Sequence, residues 1–456
     1  MVTMYQVRAL ILTLVLPFVV APLVSGELQP NIILIVADDL GFGDIGPYGS
    51  SSNRTPHLDR LAREGLRFTD FHSNGPMCTP TRVALLTGLY QQRFGRIFES
   101  ALGGRNQYDN GLPLAAETIA EVLQDSGYTT AMYGKWHLGY HPPLMPFHQG
   151  FDDFRGLASG GGDHHSHIDR SGRKDWWHND RIEMESGYAT DLITKHSVDF
   201  IEHSVREIGR PFFLYIPHLA IHFPWQTPDD SSYRVEGGDY WDLSKLGRHT
   251  TKNMASKVKR MVEAVDSSLG RILTALHEQN IAEQTLLIFT SDNGGYITYP
   301  GGFHNISSNG PLRGQKTDVY EGGHRVPTIA WWPGRIRPGV SDEITMSFDL
   351  FPTFAATAGL GAAISSKLDG VNLLPLLLEG APIAARTLFW RMRDRRAVRQ
   401  GRWKLVEQGL SAPQLFDLSV DISEVNDLAT QRPRLVKDLL AKLSAWENEV
   451  EHSSDR

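Results

Sequence analysis

The sequence predicts an α/β fold, with a large, mostly parallel central sheet flanked by helices and a small α+β subdomain at the C-terminus. Three observations carry this. Short, continuous, β-branched apolar runs recur along the chain, as in strands buried on both faces. Amphipathic helical patterns separate them, the alternation of a sheet covered on both sides. From about residue 370 the texture changes to short strands and one long helical pattern. The 456 residues, 41% hydrophobic and 21% charged, suffice for one large domain plus a smaller one.

Residues 31–37 (N-I-I-L-I-V-A) form the first buried strand. Thr55-Pro56 then opens a helix, with Leu58, Leu61, Ala62 and Leu66 on one face and proline at the first helical position. Further strands are expected at 129–133, 211–216, 285–290 and 326–331, and helices at about 83–90, 114–125, 188–204 and 252–278. Beyond 370, residues 387–392, 397–405 and 414–418 read as short antiparallel strands, with Gln400-Gly401 at a turn and a final helix over about 432–450. The chain therefore divides into residues 1–26, 27–370 and 371–456. Loops near 155–180 and 225–250, rich in Gly, His, Trp and Asp, read as binding surface.

Arg8 precedes an apolar run from Ala9 to Val24, and Val24-Ser25-Gly26 offers small residues before Glu27. This is the pattern of a secretory signal peptide over residues 1–26; a membrane anchor is the rival reading, less favoured because a run of about 16 residues is short of the roughly 17–25 that a spanning helix needs. The expectation is a secreted or periplasmic protein with no stable membrane insertion. The net charge of −7 gives no sign of nucleic-acid binding. Cys78 is the sole cysteine, so an exported chain has no internal disulfide and keeps a free or chemically altered residue there.

In open α/β sheets, ligands bind beyond the carboxyl ends of the strands. Here those ends are ionisable. The first strand runs into Asp38-Asp39, the second into G-K-W-H-L-G with Lys135 and His137, and the third into His218 and His222. The strand near 285–290 runs into S-D-N-G-G with Asp292 and Asn293, and residues 313–327 carry Lys316, Glu321, His324 and Arg325. Any one of these reads as a turn or a cap. Their coincidence at one sheet edge does not. Asp38, Asp39, Asp292 and Asn293 together offer the oxygen ligands of a hard cation such as Ca²⁺ or Mg²⁺. Arg82, Lys135, Lys316 and the histidines around them suit a tetrahedral oxyanion, as sulfuryl or phosphoryl transfer requires. Cys78, two residues before Pro80, sits at the start of a helix, where free N–H groups favour an anion.

These segments, I-V-A-D-D-L-G-F-G-D-I-G, C-T-P-T-R, G-K-W-H-L-G, I-H-F-P, S-D-N-G-G and L-R-G-Q-K followed by E-G-G-H-R-V-P, resemble the type I sulfatases of the alkaline-phosphatase superfamily over nearly all of the chain after residue 26. The resemblance implies an alkaline-phosphatase-like fold, with the catalytic domain over 27–370, and a sulfuric ester hydrolase. It implies that a formylglycine-generating maturation enzyme oxidises Cys78 to formylglycine (3-oxoalanine), whose hydrate is the nucleophile. It further implies one Ca²⁺ held by Asp38, Asp39, Asp292, Asn293 and the modified residue 78. Arg82 would hold the hydrated aldehyde, Lys135 and Lys316 the sulfate oxygens, and His137 would assist the hydroxyls of residue 78. His222 would stand by the leaving group, and Ser159 would contact sulfate. Thr81 departs from the small Ser or Ala frequent in the motif, and H-L-A-I before His222 departs from the usual segment, leaving His218 as either a substrate contact or a structural residue.

The I-H-F-P segment followed by Trp225 resembles the glycan-active branch, including N-acetylgalactosamine-6-sulfatase-like proteins. The aromatic and histidine-rich loop holding Asp163, His164, His165, His167, Trp176, Trp177 and His178 suits a sulfated saccharide. The alternatives are an arylsulfatase, a phospho- or phosphonate-ester hydrolase of the same superfamily, and a non-catalytic binder of sulfated glycans.

Overall fold

A computed structural model of the chain describes residues 29–103, 108–241, 253–361 and 368–454. The expected signal peptide lies outside them. Among the described residues, ten strands form one mixed sheet. Its centre is parallel, in the order Thr285–Ser291, Asn31–Ala37, Phe212–Pro217, Thr129–Lys135 and Asp153–Leu157. Strand Asn31–Ala37 shows why. All seven residues are buried, and alternate side chains enter two different cores: Ile33, Ile35 and Ala37 on one face, Ile32, Leu34 and Val36 on the other. Helices Pro56–Glu64, Ala189–His203 and Met254–Glu278 pack on the first face. Helices Cys78–Thr87, Ile119–Asp125 and Leu350–Thr357 pack on the second.

Beyond this centre the sheet becomes mixed, with antiparallel pairs on both sides. Strand Thr328–Trp331 runs against Thr285–Ser291 and against Leu66–Phe68, while the two-residue strands Trp177–His178 and Arg181–Ile182 close the far edge. The reversal at Thr328–Trp331 is what places residues 313–327 correctly. Because this strand runs backwards, the segment leading into it lies at the same edge as the carboxyl ends of the parallel strands.

Two helices differ in extent from the pattern. The expected 83–90 helix begins at Cys78 and stops at Thr87, where Gly88 adopts a left-handed conformation at φ +69° and its N–H reaches Ala84 O. The 114–125 helix starts only at Ile119, where Thr118 and Glu121 form a reciprocal capping box. The expected strand 397–405 is two strands, Arg395–Gln400 and Trp403–Gln408, paired antiparallel across the turn at Gly401. With Thr387–Met392 and Gln414–Asp417 they make a four-stranded antiparallel sheet. The terminal helix Pro433–Ser454 covers it through Leu439, Leu443, Trp446 and Val450, and this core also contains Ala84, Val319, Met346 and Phe348 of the preceding chain.

Candidate active site

The carboxyl ends of the parallel strands converge on a cluster of buried charges. Asp38 follows the first strand, and Asp39 then takes a left-handed conformation at φ +63°. In an extended strand, consecutive side chains point to opposite faces. The left-handed turn, which aspartate tolerates better than most residues, instead brings the second carboxylate round beside the first. Ligand atoms of Asp38, Asp39 and His222 all lie within 4.8 Å of one another, and so do those of Asp38, Cys78 and Asp292. His137 is held at φ +61° after the Lys135 strand. Left-handed backbone at two such residues is strain of the kind that collects at functional sites.

Three cations compensate these carboxylates. Arg82 donates from Nε and Nη2 to Asp292 Oδ2 at 3.2 and 2.8 Å, and from Nη1 to Lys135 O at 2.6 Å. Lys135 Nζ donates to Asp38 Oδ2 at 2.5 Å, and Lys316 Nζ to Asp39 Oδ1 at 2.5 Å. Burial raises the Asp292 carboxyl, but Arg82, Lys135 and Lys316 together hold it below its ordinary range. Burial and the charge of Asp292 push Asp38 well above its ordinary value despite Lys135. Two acceptors, Asp38 Oδ1 and Asn293 Oδ1, are buried without a hydrogen-bond donor. Unsatisfied oxygens of this kind, among carboxylates that repel one another, fit a hard divalent cation.

Cys78 is the first residue of its helix and is buried. Thr81 now has a definite part. Its hydroxyl donates to Gly75 O and Met77 O at 3.1 and 3.2 Å and accepts from Gly75 N at 3.4 Å, pinning the turn that delivers residue 78. Cys78 opens onto a cavity of about 370 Å³ whose lining includes His137, Ser159, His222 and Lys316. Lys135 and Arg82 are not on that wall; their groups are engaged with Asp38, Asp292 and the chain behind it.

The two cavity histidines have different tautomers. His137 Nε2 donates to Leu102 O at 3.0 Å, leaving Nδ1 buried and without a partner. His222 Nδ1 donates to Phe223 O at 2.7 Å, so its Nε2 carries a lone pair. Burial, followed by the positive charge of Lys135, pushes both well below the ordinary histidine value, so both rest neutral. Gly160 and Gly161 make room for the rings. A Cβ at 160 would lie 2.2 Å from His137 Nε2, and one at 161 would lie 2.8 Å from His222 Cε1. Ser159 Oγ accepts from Gly161 N at 3.3 Å, and Asp175 accepts from the Ser159 amide at 3.1 Å.

Several residues expected at the sheet edge lie elsewhere. Glu321, His324 and Arg325 turn away from the cavity into a buried network with Asp70, His72, Arg399 and Lys404, in which Lys404 Nζ meets Glu321 Oε1 at 2.8 Å. His218 is fully buried and shares a hydrogen bond of 3.2 Å with Ser268 of the long helix, which makes it structural. The loop expected to form a sugar platform is mostly its own core. Trp176 stacks on His167 with ring centroids 4.3 Å apart, Trp225 packs against Phe223 and Phe303, and Asp163 accepts backbone N–H bonds from 165, 166, 233 and 234. The aromatic lining comes instead from Tyr140, Trp241, Tyr296 and Tyr299. Nothing in their local pattern marks them, except that Tyr296 and Tyr299 follow S-D-N-G-G closely.

The sulfatase family model matches residues 30–360. Human N-acetylgalactosamine-6-sulfatase is 36% identical over 388 residues, covering 80% of this chain and 69% of that protein. Human arylsulfatase A is 36% identical over 407 residues, covering 82% and 74%. The crystal structure of Ps i-CgsB in complex with k-i-k-neocarrahexaose superposes with a TM-score of 0.80 at 32% identity, covering 92% of this chain and 93% of that one. Sequence, fold and the order of the motifs along the chain thus agree: the chain belongs to the sulfatase family of the alkaline-phosphatase superfamily, and it is a sulfuric ester hydrolase.

Proposed function

We propose that this chain is an exported carbohydrate sulfatase that works through an aldehyde formed at Cys78 and one Ca²⁺. The observation that carries this reading is the convergence of Cys78, Lys316, His137 and His222 on one cavity backed by oxygen ligands with unsatisfied valences. An oxygen in place of Cys78 Sγ would complete an all-oxygen set with Asp38 and Asp292, as Ca²⁺ prefers. Asp39 and Asn293 would supply the remaining protein ligands. In such a site the metal supplies positive charge to the sulfate oxygens, and the hydrated aldehyde supplies a nucleophilic hydroxyl and a second hydroxyl for sulfate release.

The chain's own residues divide the remaining work. Arg82 fixes Asp292 and the Lys135 carbonyl, which holds the ligand cluster in register with residue 78. Lys135 pairs with Asp38 from the interior side, opposing the burial and the Asp292 charge that raise its carboxyl. Lys316 lines the cavity beside Cys78 and can donate to a sulfate oxygen or to the departing alcohol. Burial disfavours its charge, but Asp39 raises its pKa well above the ordinary lysine value. His222, neutral with its one ring N–H donated to Phe223 O, orients the leaving group as an acceptor. His137 Nδ1 is the free base beside residue 78. Ser159 would contact sulfate from the same wall.

Saccharide substrates are favoured by the tyrosines and tryptophan lining the cavity. They are favoured also by relatives named for N-acetylgalactosamine-6-sulfate and by a neighbour solved with a carrageenan oligosaccharide. Export rests on the apolar run before Glu27. The test is mass spectrometry of the tryptic peptide holding residue 78, with steady-state assays of wild type and Cys78→Ser on defined sulfated saccharides and aryl sulfates. The expected result is an aldehyde at 78, saccharide turnover, and loss of multiple turnover in Cys78→Ser. An unmodified thiol in protein from a competent host, or full turnover by Cys78→Ser, would overturn the mechanism. Good aryl turnover with every saccharide inert would overturn the substrate class.

A further inference from the structure

The cavity beside Cys78 holds a cation that the chemistry at sulfur leaves unused. Arg170 lies on its wall, half-buried, in the loop between strands Asp153–Leu157 and Trp177–His178. Its Nη2 donates to Tyr299 Oη at 3.3 Å, and its guanidinium stands 5.6 Å from the centroid of the Trp241 ring. Among the described residues, no carboxylate forms an ion pair with it. The adjacent Asp169, which also lines the cavity, is already engaged. Its Oδ2 accepts from Arg173 Nε and Nη2 at 3.1 and 3.0 Å, and its Oδ1 accepts from the amides of Ser171 and Arg173. The contrast with nearby cations is direct. Lys316 faces Asp39, Arg173 faces Asp169, and Lys174 Nζ meets Glu236 at 3.1 Å.

A guanidinium held by an aromatic face and a phenol, with no carboxylate partner among the described residues, is preorganised for an anion that arrives from outside. Its planar fork matches sulfate and carboxylate bidentately. The scissile sulfate belongs at Cys78 and Lys316, so a second group is required. An adjoining cavity of about 510 Å³ shares Tyr140, Ser159, Asp169 and Ser171 with the first, and extends the space along the wall past Tyr108 and Trp177.

We propose that Arg170 is a specificity-determining residue that receives a second anionic group, a sulfate ester or a carboxylate, on the saccharide bearing the scissile sulfate. The proposal rests on the saccharide reading above. It makes the preferred substrate at least doubly charged and longer than one sugar.

The test uses full-length, matured enzyme and three disaccharides sharing the same scissile sulfate. In one the neighbouring sugar is neutral, in one it carries a second sulfate, and in one it is a uronate. Wild type should favour at least one doubly charged substrate in kcat/KM by about tenfold or more, the scale of one charge-assisted contact. Arg170→Gln should bring that ratio to near one, mainly through KM, and Arg170→Lys should restore part of it. The arm that responds identifies sulfate or carboxylate as the partner. Binding of the same saccharides to Cys78→Ala protein reads the preference without turnover. A wild-type ratio near one in both arms, or a preference unchanged in Arg170→Gln, overturns the role of Arg170 while leaving the saccharide reading intact. Saccharides that neither bind nor react, beside active turnover of an aryl sulfate, overturn both.

Discussion

Replacing Arg82 by methionine isolates the pair on which the ligand cluster rests. Arg82 and Asp292 are both almost wholly buried, and the guanidinium makes two bonds to Asp292 Oδ2 and a third to Lys135 O. Removing one partner of a buried ion pair leaves an uncompensated charge and typically costs about 3–5 kcal/mol. Arg82→Lys keeps the charge but has no fork, so it forfeits one or two hydrogen bonds and should cost about 1–3 kcal/mol. The sign of the pH dependence follows from Asp292. In wild type its folded pKa is depressed, so its contribution is present above the unfolded carboxylate value and is lost only as pH falls through the lower folded one. In Arg82→Met, only Lys135 and Lys316 remain to oppose burial, so that folded pKa rises and less of the Asp292 contribution survives. The deficit relative to wild type should therefore grow as pH rises through the carboxylate range. Denaturant titrations of both variants, with divalent ions chelated, measure this. A loss below about 1 kcal/mol, the range of an exposed pair, or a deficit independent of pH, would refute the argument.

Other expectations are as direct. Chelation should lower the thermal midpoint, and added Ca²⁺ should restore it, because ligand at about 100 times its Kd contributes about 2.7 kcal/mol; Asn293→Ala, which deletes an unpartnered ligand oxygen, should shrink that Ca²⁺-dependent shift. Gly160→Ala drives a methyl group into the His137 ring, which Leu102 O holds in place. Displacing a catalytic group by about 1 Å costs about a hundredfold in rate, so kcat should fall far more than stability does. Glu424 shares Lys404 with Glu321, and burial pushes its carboxyl up from 4.5 to about 7. A raised carboxyl contributes fully below its unfolded value and loses stability as pH rises through the folded one. Glu424→Gln should therefore gain on wild type progressively between about pH 5 and pH 8, as melting curves across that range would record.

The convergence of Asp38, Asp39, Asp292 and Asn293 was legible because they follow strands that read as apolar runs. A buried parallel strand has an unmistakable composition, and whatever terminates it is placed by the fold. Strand direction was not legible, since Thr328–Trp331 has the same apolar character whichever way it runs. Nor were the edge strands of two or three residues, which are too short to show a period. The cavity wall escaped for a different reason. A segment rich in Trp and His has one composition whether it forms a platform or packs on itself, and only the contacts of Trp176 with His167 separate the two. Arg170 belongs to that same segment, and the role proposed for it rests on its lack of a carboxylate partner among the described residues, which no sequence spacing can display.

The core that the four-stranded sheet shares with Ala84, Val319 and Phe348 also decides where this chain can be shortened. A product ending near residue 380 would contain every strand of the central sheet and every ligand of the cluster. It would lack Lys404 and Arg399, leaving Glu321, five residues from Lys316, with Arg325 left from its three cationic partners. It would also uncover Met346 and Phe348 next to the helix that begins at Cys78. A truncation or premature stop that removes Arg399 and Lys404 should therefore disturb the segment that carries Lys316 and the helix that begins at Cys78.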